Sequence, residues 1–148
     1  MKAAFVLGRL IFGGFFLYNG IHHFQERKSM AQYVESKNIA MPDLAVTATG
    51  VALTIGGASI VLGVKPKLGT AAIAGFLLAV SPAVHDFWNH EDTEQRTNEM
   101  INFTKNMALL GGALALMGVE EPWPASAPVA QPSRVERLRR FGRRLIAA

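Results

Sequence analysis

No cysteine occurs anywhere in the 148 residues. That excludes a disulfide framework, a thiolate zinc site, a cysteine-ligated iron–sulfur cluster and any thiol relay within the chain. Charge is scarce as well. Only 18% of residues are charged and half are hydrophobic, whereas roughly a quarter of a soluble domain is charged. Net positive charge is missing from the body of the chain. Residues 134–148 hold six arginines and one glutamate, a segment of +5, so the formal net charge of +4 leaves the first 133 residues at −1. A basic body for nucleic-acid binding is therefore excluded. No hydrolase triad, phosphate loop or dinucleotide fingerprint is present either.

What the chain has is long apolar runs. About 20 mostly apolar residues cross a bilayer core, and Leu44 to Val64 contains no charge in 21 positions. Leu68 to Val84 is a second uncharged run, ending at His85-Asp86. Ala3 to Ile21 is apolar apart from Arg9 and Asn19, and Met100 to Val119 carries Lys105. No small-residue cleavage site follows the first run, so it reads as a retained span rather than a signal peptide. The runs lack period-2 alternation, which favours helices over a barrel. The expectation is an all-α membrane protein, a four-transmembrane-helix bundle over residues 1–119, with spans near 3–21, 44–64, 68–87 and 100–119. Thirteen of the fourteen glycines fall between residues 8 and 118. Ala52/Gly56, Ala71/Gly75, Gly75/Ala79 and Gly111-Gly112 are candidate close-approach surfaces.

Lysine and arginine in short loops set the orientation. The side with both termini carries Lys2, Lys65, Lys67 and six tail arginines, against Arg27, Lys28, Lys37, Arg96 and Lys105 on the other. Both termini are thus expected in the cytoplasm, with the chain multi-pass in the cell inner membrane. Residues 120–133 hold four prolines and no apolar period, and read as a linker. Beyond them, Val135, Leu138, Phe141 and Leu145 recur at spacings of 3, 3 and 4, an amphipathic basic C-terminal helix suited to an anionic lipid surface or a partner protein.

Ionisable and polar groups at membrane depth are the functional candidates. Topology brings Asn19, His22 and His23, then His85, Asp86 and Trp88, then Asn102, Lys105 and Asn106 to one extracytoplasmic end. Arg9, Phe12, Phe16, Asn19 and His23 form one stripe at spacings of 3, 4, 3 and 4. Adjacent His85 and Asp86 do not face each other, so Asp86 needs a partner from elsewhere, and Lys105 is the candidate at matching depth. Arg9 lies roughly 20 Å from His22 along the axis. It either snorkels to headgroups or faces inward onto backbone carbonyls or a ligand oxygen, and the shared stripe favours inward. Haem held by His22 or His23 with His85 is disfavoured because no fixed histidine spacing supports it, and no metal site is expected.

The segments Gly8-Arg9-Leu10-Ile11-Phe12-Gly13, Asn19-Gly20-Ile21-His22-His23-Phe24, His85-Asp86-Phe87-Trp88 and Asn102 through Gly112, with the glycine-rich second span, resemble the DoxX family of small four-span membrane proteins over about residues 5–118. Many relatives carry a lysine near the end of the first span, where this chain has Gly20-Ile21-His22-His23. The basic C-terminal extension looks like an addition. Some members resemble the quinone-reducing membrane subunit of thiosulfate:quinone oxidoreductase, and others are associated with thiol and oxidative-stress complexes. The resemblance thus implies the bundle but not one reaction.

Two functions follow as expectations. In the first, the chain is a quinone-interacting subunit of a membrane oxidoreductase. His85, Asp86 and Lys105 are then the catalytic group, and Arg9, Asn19, His23, Trp88, Asn102 and Asn106 the binding group. Quinone is the expected cofactor, and a redox partner protein or soluble reductant supplies electrons. In the second, the chain is a non-catalytic membrane scaffold or small-ligand binder whose tail docks lipid or a partner. Membrane lipid is a partner in both, nucleic acid in neither, and a homo-oligomer is compatible with each.

Overall fold

The computed structural model describes residues 2–128. The expected basic helix of 134–148 and the last five residues of the expected linker, 129–133, lie outside them. Five α-helices and one short 3-10 turn make up the described chain: α1 Lys2–Gln25, α2 Arg27–Ser36, α3 Pro42–Leu62, α4 Pro66–Val84, the turn Phe87–Asn89, and α5 Thr93–Met117. No strand occurs among the described residues.

Local chemistry sets the ends. Pro42 and Pro66 open α3 and α4 at positions where a missing N–H costs nothing. Gly63, with φ +69°, closes α3 in the left-handed conformation. The Ser59 hydroxyl donates to the Val64 and Lys65 carbonyls and stiffens the three-residue turn into α4. Asp92 caps α5 by accepting from the Gln95 N–H at 2.8 Å.

α1, α3 and α4 are each long and apolar enough to cross a membrane, the last continuing to Asn89. A 21-residue helix such as α3 is about 31 Å long, close to the thickness of a bilayer core. α5 is as long as these but is not among them. Its first half, Thr93 to Lys105, carries Glu94, Arg96, Glu99 and Lys105, so it begins well before the expected start at residue 100 and is polar there. α4 ends at Val84, three residues short of the expected 87, shortly after Pro82 removes a backbone donor from its last turn.

The helices meet where backbones can touch. Along α1 and α3 the facing pairs are Gly13 with Gly57, Gly20 with Thr54, and His23 with Gly50. Rising numbers on one helix meet falling numbers on the other, so the two are antiparallel. A Cβ on Gly57 would lie 2.7 Å from the Gly13 carbonyl oxygen, and a Cβ on Gly69 would lie 2.7 Å from that of Gly56 on the α3–α4 side. Gly112 faces the Phe12 ring across α1 and α5. Of the expected small-residue pairs, Gly56 is at a crossing, whereas Gly75 and Gly111 meet nothing within 4 Å. Phe16, Leu53, Ile60, Ile73 and Leu77 fill the interior between these crossings.

Residues 120–128 do not behave as a linker. Trp123, 2% exposed, inserts into the bundle end beside the N-terminus of α1, its ring edge-on to Phe5 at 5.4 Å. The Ala127 N–H donates to the Leu62 carbonyl at 2.7 Å, and the Lys67 N–H donates to the Glu121 carboxylate. Arg9 explains the seal. It is 2% exposed and donates from Nη1 to the Pro124 carbonyl at 2.9 Å and from Nη2 to the Ala125 carbonyl at 3.0 Å. An inward guanidinium needs acceptors, and this proline-rich segment presents carbonyls that no helix consumes.

Two stability outcomes are expected in detergent thermal unfolding. Gly57→Val should cost about 1–3 kcal/mol through overpacking against backbone, while Gly75→Ala, in open space, should stay within about 0.5 kcal/mol of the parent. Trp123→Ala should cost about 3–5 kcal/mol by emptying a filled site; a loss under 1 kcal/mol would mean that the 120–128 segment does not seal the bundle.

Candidate functional site

The end of the bundle opposite Trp123 gathers the polar side chains. α2 folds back there over the ends of α3 and α4 and delivers Lys37, just past its last residue. Lys37 Nζ donates to Asp86 Oδ1 at 2.9 Å and lies 3.8 Å from Glu99 Oε1. Asp86 Oδ2 accepts from the Asn89 amide at 3.1 Å, and His90 Nε2 lies 3.5 Å from Asp86 Oδ1. His85 Nδ1 lies 2.7 Å from Glu99 Oε2. The carboxylate accepts, so Nδ1 carries the proton between them. His23 is held likewise, with Nδ1 2.8 Å from the Asn19 carbonyl oxygen, which can only accept.

Three cavities surround these groups. An apolar cleft of about 390 Å³ between α2, α3 and α4 has Met30, Tyr33, Val34, Val80, His23 and His85 in its walls. An inner chamber of about 160 Å³ shares His23 and His85 with it and adds Asn19, Phe16 and Asn106. A polar vestibule of about 320 Å³ is lined by Tyr33, Lys37, Asp86, His90, Gln95 and Glu99. His85 therefore stands where the two apolar spaces meet the carboxylate of the polar one. Among the described residues, no group of three His, Asp or Glu is placed to hold a metal ion; the Lys37 ammonium lies between the two carboxylates.

Electrostatics follow the packing. Burial raises the Tyr33 phenol above its usual 10.0, and the negative charge of Glu99 adds to the shift. Burial alone would lower the Lys37 ammonium, but the hydrogen bond to Asp86, with the charges of Tyr33, Asp86 and Glu99, lifts it above 10.5.

The expected site residues divide. Asn19, His23, His85 and Asn106 come together around the inner chamber, and Asp86 lines the vestibule. Lys105 does not reach Asp86. It is exposed on α5, while Gln95 and Glu99 of the same helix turn to the vestibule, and α2 supplies the cation instead. Trp88 is 51% exposed and packs edge-on to Phe87 and Phe103 rather than into a cavity. Asn102 is half-buried and lines none of the three cavities. Arg9 faces inward onto backbone carbonyls at the other end of the bundle.

Tyr33, Lys37, His90 and Glu99 were not among the expected residues, although the chain carries signals for them. Met30, Tyr33 and Val34 recur at helical spacing within an otherwise polar stretch, His90 follows Asp86 by four, and Gln95, Glu99, Asn102 and Asn106 run at spacings of 4, 3 and 4.

Membrane-length apolar helices, joined by short turns and enclosing a polar cluster at one end, define an all-helical membrane protein. The DoxX family model matches residues 4–86, and the chain belongs to the DoxX family. No curated protein and no solved structure matches it.

A pH outcome follows from the two raised groups. Each binds its proton more tightly when folded, so their contribution is complete below about pH 10 and is lost as pH rises through the folded values. Thermal stability in detergent should fall above about pH 10. Lys37→Met should shrink that alkaline loss and cost about 2 kcal/mol at neutral pH; an unchanged alkaline limb would remove Lys37 from its origin.

Proposed function

We propose that this protein is the quinone-binding membrane subunit of an oxidoreductase, with the quinone head in the inner chamber and its apolar tail leaving through the α2–α4 cleft. The observation that carries the reading is the pair of imidazoles, His23 and His85, shared by the chamber and the cleft, each with Nδ1 fixed and Nε2 without a partner among the described residues. A quinone needs an apolar slot, hydrogen-bonding groups for its carbonyls and a route for protons. Protonation at Nε2 gives His85 the donor that one quinone oxygen accepts and from which it takes its proton, and the same protonation of His23 holds the second oxygen. Asn19 and Asn106 line the chamber beside the head. Asp86 positions Lys37, and the exposed Lys105 has no part in this reading. Arg9, Trp88 and Asn102 likewise fall outside the binding group, since none of them lines the chamber.

On this reading α5 is a fourth span whose polar first half rises at the interface, supported by Ala113 being buried and Gly112 meeting Phe12. Both termini are then cytoplasmic in the cell inner membrane, and the His23–His85 end faces outward. Reduction of a quinone takes up two electrons and two protons. The chain has no cysteine, so a partner protein or soluble reductant delivers the electrons, and membrane lipid surrounds the bundle.

A second reading is a membrane scaffold in which the network of Lys37, Asp86, Glu99 and His85 simply ties α2, α4 and α5 together. The satisfied contacts within that network favour it.

Titration of the full chain in nanodiscs with a naphthoquinone analogue, followed by tryptophan quenching, separates the two. Saturable binding weakened about tenfold by His85→Ala, the equivalent of one lost hydrogen bond to a charged group, is expected. Binding that is absent, or identical in the variant, would sink the quinone reading and leave the scaffold.

A further inference from the structure

We propose that α2 and the turn after it form a hinged flap over the apolar cleft, latched at its tip by Lys37 and lifted to let a ligand head pass between membrane and chamber. Its role for a quinone rests on the reading above, whereas the flap stands on geometry alone. The two roots of this excursion lie side by side. Arg27, the first residue of α2, reaches Asp43 in the first turn of α3 at 3.1 Å. The ten-residue helix runs out about 15 Å, and the five residues Lys37 to Met41 span at most about 18 Å on the way back. Out by helix and back by turn, the segment leaves the α1–α3 pair and rejoins it, and its tip reaches beyond them.

Bends at both roots serve as hinges. Glu26, at φ −105° and ψ 26°, departs from the helical values of about −63° and −42° and separates α1 from α2. On the return, Asn38 and Met41 adopt φ 57° and 53°, left-handed conformations that break any regular structure. The flap is also lightly seated. Ala31 is the one buried residue of α2, against six in α3, and a segment with few buried contacts opens at low cost. Met30, Tyr33, Val34 and Ile39 line the cleft beneath it, while Lys28, Gln32 and Glu35 are exposed on its outer side.

Lys37 closes the flap against the far wall. Its Nζ donates to Asp86, just beyond the end of α4, at 2.9 Å and lies 3.8 Å from Glu99 of α5. Among the described residues, no other side chain of the flap forms an ion pair with α4, α5 or their connection. The contact borders the polar vestibule, so water can replace it when the tip lifts. Below the flap, His23, Phe76, Val80 and His85 line both the cleft and the inner chamber, and a ligand in the cleft reaches the chamber between them. A thin apolar tail can stay in the slot with the flap down. The wider head has to pass Met30, Tyr33 and Val34, so lifting of the flap sets the rate of exchange, and the chamber sets the affinity.

The chain has no cysteine, so single cysteines report the flap without background. Met30→Cys on its inner face and Gln32→Cys on its outer face are labelled with a water-soluble maleimide, in the full chain in nanodiscs. Lys37→Met should speed labelling at Met30→Cys about tenfold, the equivalent of one lost hydrogen bond to a charged group. Gln32→Cys should label at one rate in both backgrounds, and Lys37→Arg should keep the slow parent rate at Met30→Cys. Equal Met30→Cys rates with and without Lys37, or a matching rise at Gln32→Cys, overturn the flap. Lys37→Gln takes the place of Lys37→Met if that variant does not assemble. Stopped-flow tryptophan quenching by a naphthoquinone analogue tests the gate: Lys37→Met should raise association and dissociation rates together by about tenfold, with Kd within about threefold. Unchanged or slower exchange overturns the gate. If the parent binds no analogue, the quinone reading fails, and the labelling rates decide the flap by themselves.

Discussion

The ion pair of Lys37 with Asp86 governs what the polar end of this bundle becomes. It fixes the end of α2 against the connection after α4, so Met30, Tyr33 and Val34 become one wall of the apolar cleft. Because Asp86 takes the ammonium at short range, Glu99 is left to receive the His85 ring. Two carboxylates thus serve different partners, a division set by position and not by residue type. Sparsely hydrated charges need partners at close range, and here one cation and two acids meet that need while leaving an imidazole turned to the apolar side.

The same requirement shapes the opposite end. Arg9 has no carboxylate partner among the described residues, so its guanidinium draws in the carbonyls of Pro124 and Ala125, and Trp123 follows into the space beside Phe5. A segment with many prolines is suited to this because it leaves carbonyls free of helical bonding. Between the ends, Gly13, Gly57 and Gly69 let backbones meet directly. In an apolar surrounding, such close packing replaces the hydrophobic effect as the force that holds helices together. The molecule is therefore fixed by backbone contact in its middle and by charge compensation at its ends.

The helical class, the apolar runs and the inward face of Arg9 were legible in the sequence because they depend on periodicity and local hydropathy. Asn19 and His23 belong to the Arg9 stripe, and the structure places them on the chamber. The requirement that Asp86 find a partner beyond its neighbour was legible for the same reason, since adjacent helical residues diverge. Its identity was not. Lys105 and Lys37 are both cations at the right end, and only the rotation of α5 and the fold-back of α2 choose between them. Trp123 was hidden by a composition typical of linkers, because burial of a lone tryptophan depends on a partner over a hundred residues away.

By itself, then, the sequence determined which segments are apolar, where the helices can pass closely and which charged groups must be satisfied. Tertiary structure decided which charges satisfy one another, and whether a proline-rich stretch hangs free or closes the bundle. The physical reason is one of range. Hydropathy and helical period act between residues a turn apart, whereas an ion pair or a sealed cavity requires side chains from distant segments to arrive at the same few ångströms.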